Sequence, residues 1–378
     1  MSTAARWASA RSVLAVRLDG MGDLLMTTPA LRALKEAAPH RRVVLLASPA
    51  GAALGRLLPF VDEVLPFAAP WMKQPGAGDS ATRTAGLIDA IRGRFDAAVI
   101  FTVFSQSALP AATALMLADV PLRAAHCREN PYDLLTDWVS ERDLDVHAGV
   151  RHEVQRQLDL VAALGAVPAD TRLQLAVPDA ARTAIAARLA ALGLLPATPF
   201  LVVHPGATAP SRRYPVELLR EAVTTLARDD GWRIVVAGGD DDRVAAESLA
   251  AAAPSVVSLA GALDLAEVAA LLERADVVVA NNSLAAHLAA AVGTPVCDLY
   301  ALTNPQHTPW GVAHRVLNHD VECRYCFKSV CPERHHRCLA AVAPQEVVRA
   351  VRELAPASRR TAPAPPAPAG GASLWLAA

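Results

Sequence analysis

The 378-residue sequence has almost no net charge, because 36 Lys and Arg residues oppose 37 Asp and Glu residues. This balance gives no global attraction to nucleic acid or to an anionic membrane, so any phosphate binding must be local. Six cysteines in a chain of this length do not suggest a disulfide scaffold. Hydrophobic residues make up 53% and charged residues 19%, which excludes a disordered chain, a collagen and a coiled coil and leaves a globular protein.

The sequence also lacks an uninterrupted apolar run of bilayer length. Three uncharged windows (97–118, 248–263 and 277–297) approach that length, but prolines or a polar Asn-Asn-Ser cluster interrupt each of them. The apolar stretch 12–16 near the N-terminus is too short for the core of a signal peptide. We therefore expect a cytoplasmic protein without a transmembrane segment and with at most peripheral membrane contact.

The length and the order of apolar segments predict two α/β domains. Chains much beyond 250 residues usually divide into domains, and short apolar runs alternate with helical patterns in both halves, as in doubly wound parallel sheets. We assign a Rossmann-like domain to 1–175, a linker helix to 176–198 and a second Rossmann-like domain to 199–354, and we expect the Pro- and Ala-rich segment 355–378 to be disordered. The predicted strands are 12–18, 42–47, 63–67, 96–101, 200–204, 232–237, 256–259, 276–280 and 296–300.

A glycine-rich turn, Asp19-Gly-Met-Gly-Asp23, joins the first predicted strand to a helix. It is not the dinucleotide fingerprint, because G-x-G-x-x-G needs a third glycine where Leu25 stands. Gly20 and Gly22, on either side of Met21, allow the backbone to approach a ligand closely. Two such domains place a cleft between the carboxyl ends of their sheets, and we expect Asp23 in the first helical turn, facing that cleft. Spacing alone leaves open whether Asp23 takes part in chemistry or only caps its helix.

Two further turns follow strands of the second half. After 200–204, Thr208 offers a hydroxyl, and Arg212 and Arg213 offer forked donors for phosphate. An arginine pair in a loop is usually solvated, but a position at the carboxyl end of a strand favours phosphate binding.

After 276–280, the residues Asn282, Ser283 and Leu284 begin a small-residue helix that carries His287. Free N–H groups at such a helix N-terminus can bind a diphosphate. The alternatives are that Asn282 or Ser283 serves only as an N-cap and that His287 is a buried structural histidine.

Four cysteines and two histidines are concentrated near the end of the second half. Their chemistry suits a structural zinc ion or an iron–sulfur cluster, but C-x2-C-x4-C-x6-C is not a standard zinc-finger spacing. A reduced, metal-free cluster that stabilises a loop is the alternative. The residues, all within the Cys-rich segment 323–338, are Cys323, Cys326, Cys331, Cys338, His335 and His336.

In this order and spacing, the motifs resemble glycosyltransferase family 9, the ADP-heptose:lipopolysaccharide heptosyltransferases, over about residues 11–354. The motifs that carry the resemblance are RLDGMGDLLMTTPAL (17–31), VHPG (203–206) with RRYP (212–215), LAG (259–261) and NSLAAHLAAAVGTP (282–295). The resemblance implies a GT-B architecture, with two Rossmann-like domains facing a central cleft. It also implies that the first domain binds mainly the acceptor and the second the nucleotide sugar.

The resemblance further implies the roles of individual residues. Asp23 matches the family's general base, Arg212 its basic residue on the donor phosphates, Thr208 a nearby hydroxyl contact, and His287 its following histidine. Asn282 and Leu284 depart from the family's usual Asp-Thr/Ser-Gly, where Ser283 is retained. The implied reaction is an inverting, metal-independent transfer of a heptose or related sugar from an ADP-sugar to the hydroxyl of a glycan or small molecule. No cofactor is required.

Two alternatives remain open. One, suggested by the departures at Asn282 and Leu284, is a sugar-nucleotide binding protein with little transferase activity. The other is a GT-B-like epimerase, which shares the fold but acts on the bound sugar alone. Asp23 favours transfer over binding, because a transferase needs a base and a binding protein does not.

Overall fold

The computed structural model describes residues 2–73, 78–141 and 151–356. Two six-stranded parallel sheets, each flanked by helices, make up these residues. The expected doubly wound α/β fold is thereby confirmed. Most of the predicted disordered segment, from 357 onward, lies outside the described residues.

The first sheet is built around two almost completely buried central strands, β1 (Ser12–Arg17) and β4 (Ala97–Ile100). It has the order β3-β2-β1-β4-β5-β6, so the winding reverses between β1 and β4 and leaves a crevice beyond their carboxyl ends. The elements are α1 Thr3–Ala8, β1 Ser12–Arg17, α2 Met21–Glu36, β2 Arg42–Ala47, α3 Pro49–Gly55, β3 Glu63–Pro66, α4 Ser80–Ile91, β4 Ala97–Ile100, α5 Leu109–Leu117, β5 Leu122–Cys127, β6 Asp137–Ser140 and α6 Glu153–Ala163.

The second sheet repeats this arrangement with the order β12-β11-β10-β7-β8-β9, and its winding reverses between β7 and β10. A short 3-10 turn, Pro210–Arg212, follows β7. The elements are α7 Asp179–Ala191, β7 Phe200–His204, α8 Val216–Arg228, β8 Arg233–Val236, α9 Arg243–Ala250, β9 Val256–Ser258, α10 Leu265–Arg274, β10 Val277–Asn281, α11 Leu284–Val292, β11 Val296–Leu299, β12 His314–Leu317, α12 Arg337–Ala340 and α13 Pro344–Leu354.

All nine predicted strands are present, but the structure contains three strands that the sequence analysis missed. β5, β6 and β12 pair with β4, β5 and β11 respectively. β12 and β6 lie at the outer edges of their sheets. An edge strand has a neighbouring strand on one side only, so its sequence need not be continuously apolar. β5 has alanines and the polar Arg123 and His126 in place of a continuous run of large apolar residues.

The two domains meet where α2 packs against α11. Residues of both helices, including Leu24, Leu25, Ala285 and Ala286, belong to one buried hydrophobic cluster. The predicted linker segment 176–198 contains α7, which packs on α10 of the second domain. Within the described ranges, no helix is long and apolar enough to cross a membrane.

Candidate active site

Asp23 lies in the first turn of α2, at the carboxyl edge of the first sheet. Its Oδ2 accepts a hydrogen bond from the Gly20 N–H at 3.3 Å, so Asp23 does cap its own helix. Its Oδ1 lies 3.8 Å from a terminal nitrogen of Arg17, and a quarter of the side chain remains exposed. Capping occupies only one carboxylate oxygen, and the other remains able to accept a proton.

The surroundings of Asp23 make it a stronger base than an ordinary aspartate. Burial raises the pKa of Asp23 to about 7, and the negative charge of Asp19 acts in the same direction. The positive charge of Arg17 opposes this rise, as does the more distant charge of Arg212, while Glu153 reinforces it. A carboxylate with this pKa can accept a proton near neutral pH and still be ionised in a large fraction of molecules.

Arg17 and Glu153 form a buried ionic group beneath Asp23. Arg17 ends β1 and has no exposed side-chain surface, and its Nε lies 3.0 Å from Asp19 Oδ2. Glu153, also fully buried, begins α6 and lies 3.3 Å from a terminal nitrogen of Arg17. The sequence does not predict Glu153 as a site residue, because a glutamate at the start of an amphipathic helix is also common at solvent-exposed helix N-termini.

The N-terminus of α11 provides the opposite side of the cleft. Ser283 occupies the N-cap position, but its side chain makes no capping hydrogen bond. Buried polar atoms without a hydrogen-bond partner are concentrated here: Asn282 Nδ2, Ser283 Oγ and His287 Nδ1. Burial lowers the pKa of His287 to about 3, so its imidazole is neutral at physiological pH. Unsatisfied buried groups of this kind are costly in a folded protein unless a ligand or water contacts them.

The two halves of the site are in contact through Gly22 and His287. A Cβ atom placed on Gly22 would lie 3.1 Å from His287 Cδ2 and 4.0 Å from the Leu284 Cα. Only glycine therefore allows α2 and α11 to approach this closely without displacing the imidazole. Met21, the residue before Gly22, is half-buried and packs against the shared hydrophobic cluster.

Arg212 ends the 3-10 turn after β7, and its Nε is buried without a hydrogen-bond partner. Its charge acts on Asp23, His287 and His307, which places it on the same cleft. Arg213 instead donates to the Ala207 carbonyl at 2.7 Å, and Thr208 is exposed. Of the two arginines, Arg212 is therefore the one whose charge acts on the cleft.

His307 is a second residue of the cleft that the sequence analysis missed. It is 7% exposed, its Nε2 has no partner, and Asn304 Nδ2 lies 3.2 Å from its Nδ1. Burial, together with the neighbouring His287 and Arg212, lowers the pKa of His307 well below its ordinary value. It belongs to no recognisable motif, since it lies in the irregular segment between β11 and β12.

The Cys-rich segment packs against the turn that carries Arg212. Ser211 donates from its N–H to the Ser329 carbonyl at 3.0 Å and from its Oγ to the Lys328 carbonyl at 2.7 Å. His336 Nε2 lies 2.6 Å from the Ser211 carbonyl oxygen. Four cysteines of the segment, together with His335 and His336, line a cavity of about 20 Å³. Among the described residues, no three His, Cys, Asp or Glu side chains are already arranged to hold a metal ion.

Comparison with known proteins identifies relatives that match most of the chain. The profile of glycosyltransferase family 9 (heptosyltransferase) matches residues 90–336. Lipopolysaccharide heptosyltransferase 2 of Salmonella typhimurium is 25% identical over 358 residues, covering 90% of this chain and 98% of that protein.

Solved structures of the same family share the fold. The family 9 glycosyltransferase of Veillonella parvula superposes with a TM-score of 0.76 at 19% identity, covering 91% of this chain and 97% of that one. The ADP-heptose LPS heptosyltransferase II of E. coli superposes with a TM-score of 0.68 at 23% identity, covering 91% and 98%. The predicted GT-B architecture is confirmed by this likeness.

Proposed function

The chain belongs to glycosyltransferase family 9, and from this premise we propose that it transfers a heptose or a related sugar from an ADP-sugar to an acceptor hydroxyl. The observation that carries the proposal is the contact between the two helix N-termini. One presents the carboxylate of Asp23, and the other presents Ser283 and His287 beside Arg212. A base and an anion-binding group on opposite sides of one cleft suit a reaction between a nucleophilic hydroxyl and a leaving diphosphate.

We assign the role of general base to Asp23. It takes the proton of the acceptor hydroxyl as that oxygen attacks the anomeric carbon from the face opposite the nucleotide. The C–O bond to the diphosphate breaks as the new C–O bond forms, so the configuration at the anomeric carbon is inverted. The pKa of about 7 matches this task, because the base is available near neutral pH and still has affinity for the proton.

The leaving diphosphate is assigned to the second domain. Arg212 supplies a positive charge with an unpartnered Nε, and the N-terminus of α11 supplies the positive end of a helix dipole. Both can stabilise the negative charge that develops on the diphosphate. With these groups in place we propose that transfer requires no divalent cation. Asn282, Leu284, His287 and Thr208 complete the proposed donor site, and Gly20, Met21 and Gly22 line its acceptor side.

We propose a structural and not a catalytic role for the Cys-rich segment. Its donor set of four thiols and two imidazoles fits zinc or an iron–sulfur cluster, whose preferred ligands are thiolate and imidazole. Burial raises the pKa of the Cys338 thiol, and the neighbouring cysteines add to the rise, so this thiol would stay protonated in a metal-free cluster. In either state the segment acts on the site through Ser211, which it holds by three contacts beside Arg212.

The acceptor expected from the relatives' names is a lipopolysaccharide core, and the cytoplasm is the compartment that we predict. One alternative is a nucleotide-sugar binding protein, suggested by Asn282 and Leu284 in place of the family's usual aspartate and glycine. The other is an epimerase, which shares the fold. The described site favours transfer over mere binding, because binding alone gives no reason for a base of raised pKa at Asp23.

The decisive experiment incubates the purified protein with ADP-heptose and a panel of acceptors that includes heptose-free lipopolysaccharide core. Mass spectrometry should detect a product that is heavier by one heptosyl residue, with release of ADP. UDP-sugars serve as the matched control, and NMR of the product's anomeric centre tests inversion. Activity should persist in the presence of EDTA. Isomerisation of the donor without acceptor would establish the epimerase, and binding without turnover on any acceptor would contradict transfer.

A further inference from the structure

Glu153 is a buried carboxylate that the proposed reaction does not use directly. It has no exposed surface, it lies 136 residues from Arg17 in sequence, and its Oε2 has no hydrogen-bond partner. An arrangement this costly persists when neighbouring charges compensate it. We propose that Glu153 is a positioning residue for Asp23, acting through Arg17: it engages the guanidinium and so preserves the basicity of the Asp23 carboxylate. This inference rests on the assignment of Asp23 as the base.

The geometry around Arg17 supports this positioning role for Glu153. Both terminal nitrogens of Arg17 donate to Glu153 Oε1, at 3.3 and 3.4 Å, whereas the distance to Asp23 Oδ1 is 3.8 Å. A guanidinium hydrogen-bonded directly to Asp23 would stabilise its ionised form and make it a weak base. Because the donors of Arg17 face Glu153, Asp23 has only the weaker, longer contact.

Contacts from the second domain help to fix Glu153 in this position. Its backbone N–H donates to the Gln306 carbonyl at 3.0 Å, across the interface between the domains. The preceding residue, His152, contacts the Thr308 carbonyl oxygen through Nε2 at 2.9 Å. Within the first domain, Gln157 donates to Glu153 Oε1 at 2.5 Å. The orientation of Glu153 therefore depends on the contact between the domains. The basicity of Asp23 depends in turn on the orientation of Glu153.

The other charged and titratable groups around Asp23 determine how the removal of Glu153 would change the pKa of Asp23. Arg156 lies 3.5 Å from Glu153 but is also paired with Glu141 at 2.5 Å. His287 and His307 are neutral because burial lowers the pKa of each. Burial raises the pKa of Glu153, but the charges of Arg156 and Arg17 oppose this rise and favour its ionised form. Without that charge, Asp23 would face Arg17 and Arg212 with only Asp19 in opposition. The pKa of Asp23 should then fall.

The test is the pH dependence of kcat/KM in Glu153→Gln, which keeps the side chain's size and removes its charge. The acidic limb should move to lower pH by about one unit or more, as expected for the loss of one buried like charge nearby. The plateau kcat should fall about 3–10-fold because a weaker base follows Brønsted behaviour. KM for the donor should not change. Glu153→Asp keeps the charge but withdraws it from Arg17. The acidic limb of its pH profile should therefore lie between those of the wild-type protein and Glu153→Gln.

Asp159→Asn is the matched control, because it removes a carboxylate from the same helix at a partly exposed position that pairs with Arg151. Its limb should coincide with that of the wild-type protein. The difference in carboxyl carbon NMR signals between wild-type protein and Asp23→Asn reports the pKa of Asp23 without any assay of activity. An unmoved limb and an unmoved Asp23 signal in both Glu153 variants would overturn the positioning role. Full activity in Asp23→Asn would instead overturn the base itself, which separates the two failures.

Discussion

Replacement of Asp23 by asparagine should nearly abolish turnover and yet stabilise the folded protein above neutral pH. The loss of a general base typically lowers kcat by about 10²–10⁴, and donor affinity should be nearly intact because Asp23 is assigned to the acceptor side. In the wild-type protein, kcat/KM should fall about tenfold per pH unit below the pKa of about 7. Initial rates between pH 5 and 9, with calorimetry for ADP binding, measure these effects.

The gain in stability follows from the direction of the pKa shift. The pKa of Asp23 rises from 3.8 to about 7 on folding, so its contribution to stability is complete below pH 3.8 and is lost as the pH rises through 7. The full shift corresponds to about 4 kcal/mol. Because a quarter of the side chain is exposed, solvent screening reduces this, and we expect roughly 2 kcal/mol.

Asparagine cannot ionise, so Asp23→Asn avoids this penalty. Urea unfolding of both proteins at pH 5 and pH 8 provides the measurement. The variant should be the more stable at pH 8, and the difference should narrow toward pH 4. A variant that is less stable at pH 8, or a difference that does not vary with pH, would show that Asp23 is not held at a raised pKa.

Three further predictions concern the other parts of the site. Arg212→Ala should weaken ADP binding by about 1.5–3 kcal/mol in calorimetry, whereas Arg213→Ala should change it little; equal affinities for both variants would contradict the phosphate assignment. Gly22→Ala should lower kcat because its Cβ would lie 3.1 Å from His287 Cδ2, and Gly86→Ala, whose Cβ meets nothing within 4 Å, is the control. The double variant of Cys326 and Cys331 to serine should have a lower Tm but an unchanged kcat per folded molecule; a folded variant without turnover would place these thiols in the active site.

Local patterns were sufficient to predict most of the fold. Strands such as β1 and β7 are buried on both faces and are therefore apolar except at their ends, a pattern that is visible in a single sequence. The three missed strands lie at a sheet edge or contain charged residues whose partners are far away in the chain. In β6, for example, the Asp137 carboxylate accepts a hydrogen bond from Trp7 Nε1, 130 residues away, which no local pattern indicates.

The candidate site likewise contains residues that local patterns predict and residues that they do not. Asp23, Arg212, Ser283 and His287 lie at turns after strands, and parallel sheets bring such turns to one edge, so their proximity could be expected from the order of elements. Glu153 and His307 lie outside these turns. They reach the cleft because the domains pack together, and burial in that packing is the main cause of their pKa shifts. Tertiary packing of this kind is not encoded in residue spacing.

The contacts between Ser211 and the Cys-rich segment determine where the second domain can be divided. The sheet is complete at Leu317, the end of β12, yet the carbonyls that hold Ser211 belong to Lys328 and Ser329. A chain truncated after β12 would keep every strand and also Arg212. It would lose the hydrogen bonds that hold the turn containing Arg212 in place. Chimeras that exchange donor specificity between members of the family should therefore transfer 318–338 together with the sheet, since recombination at the last strand would separate the arginine from its scaffold.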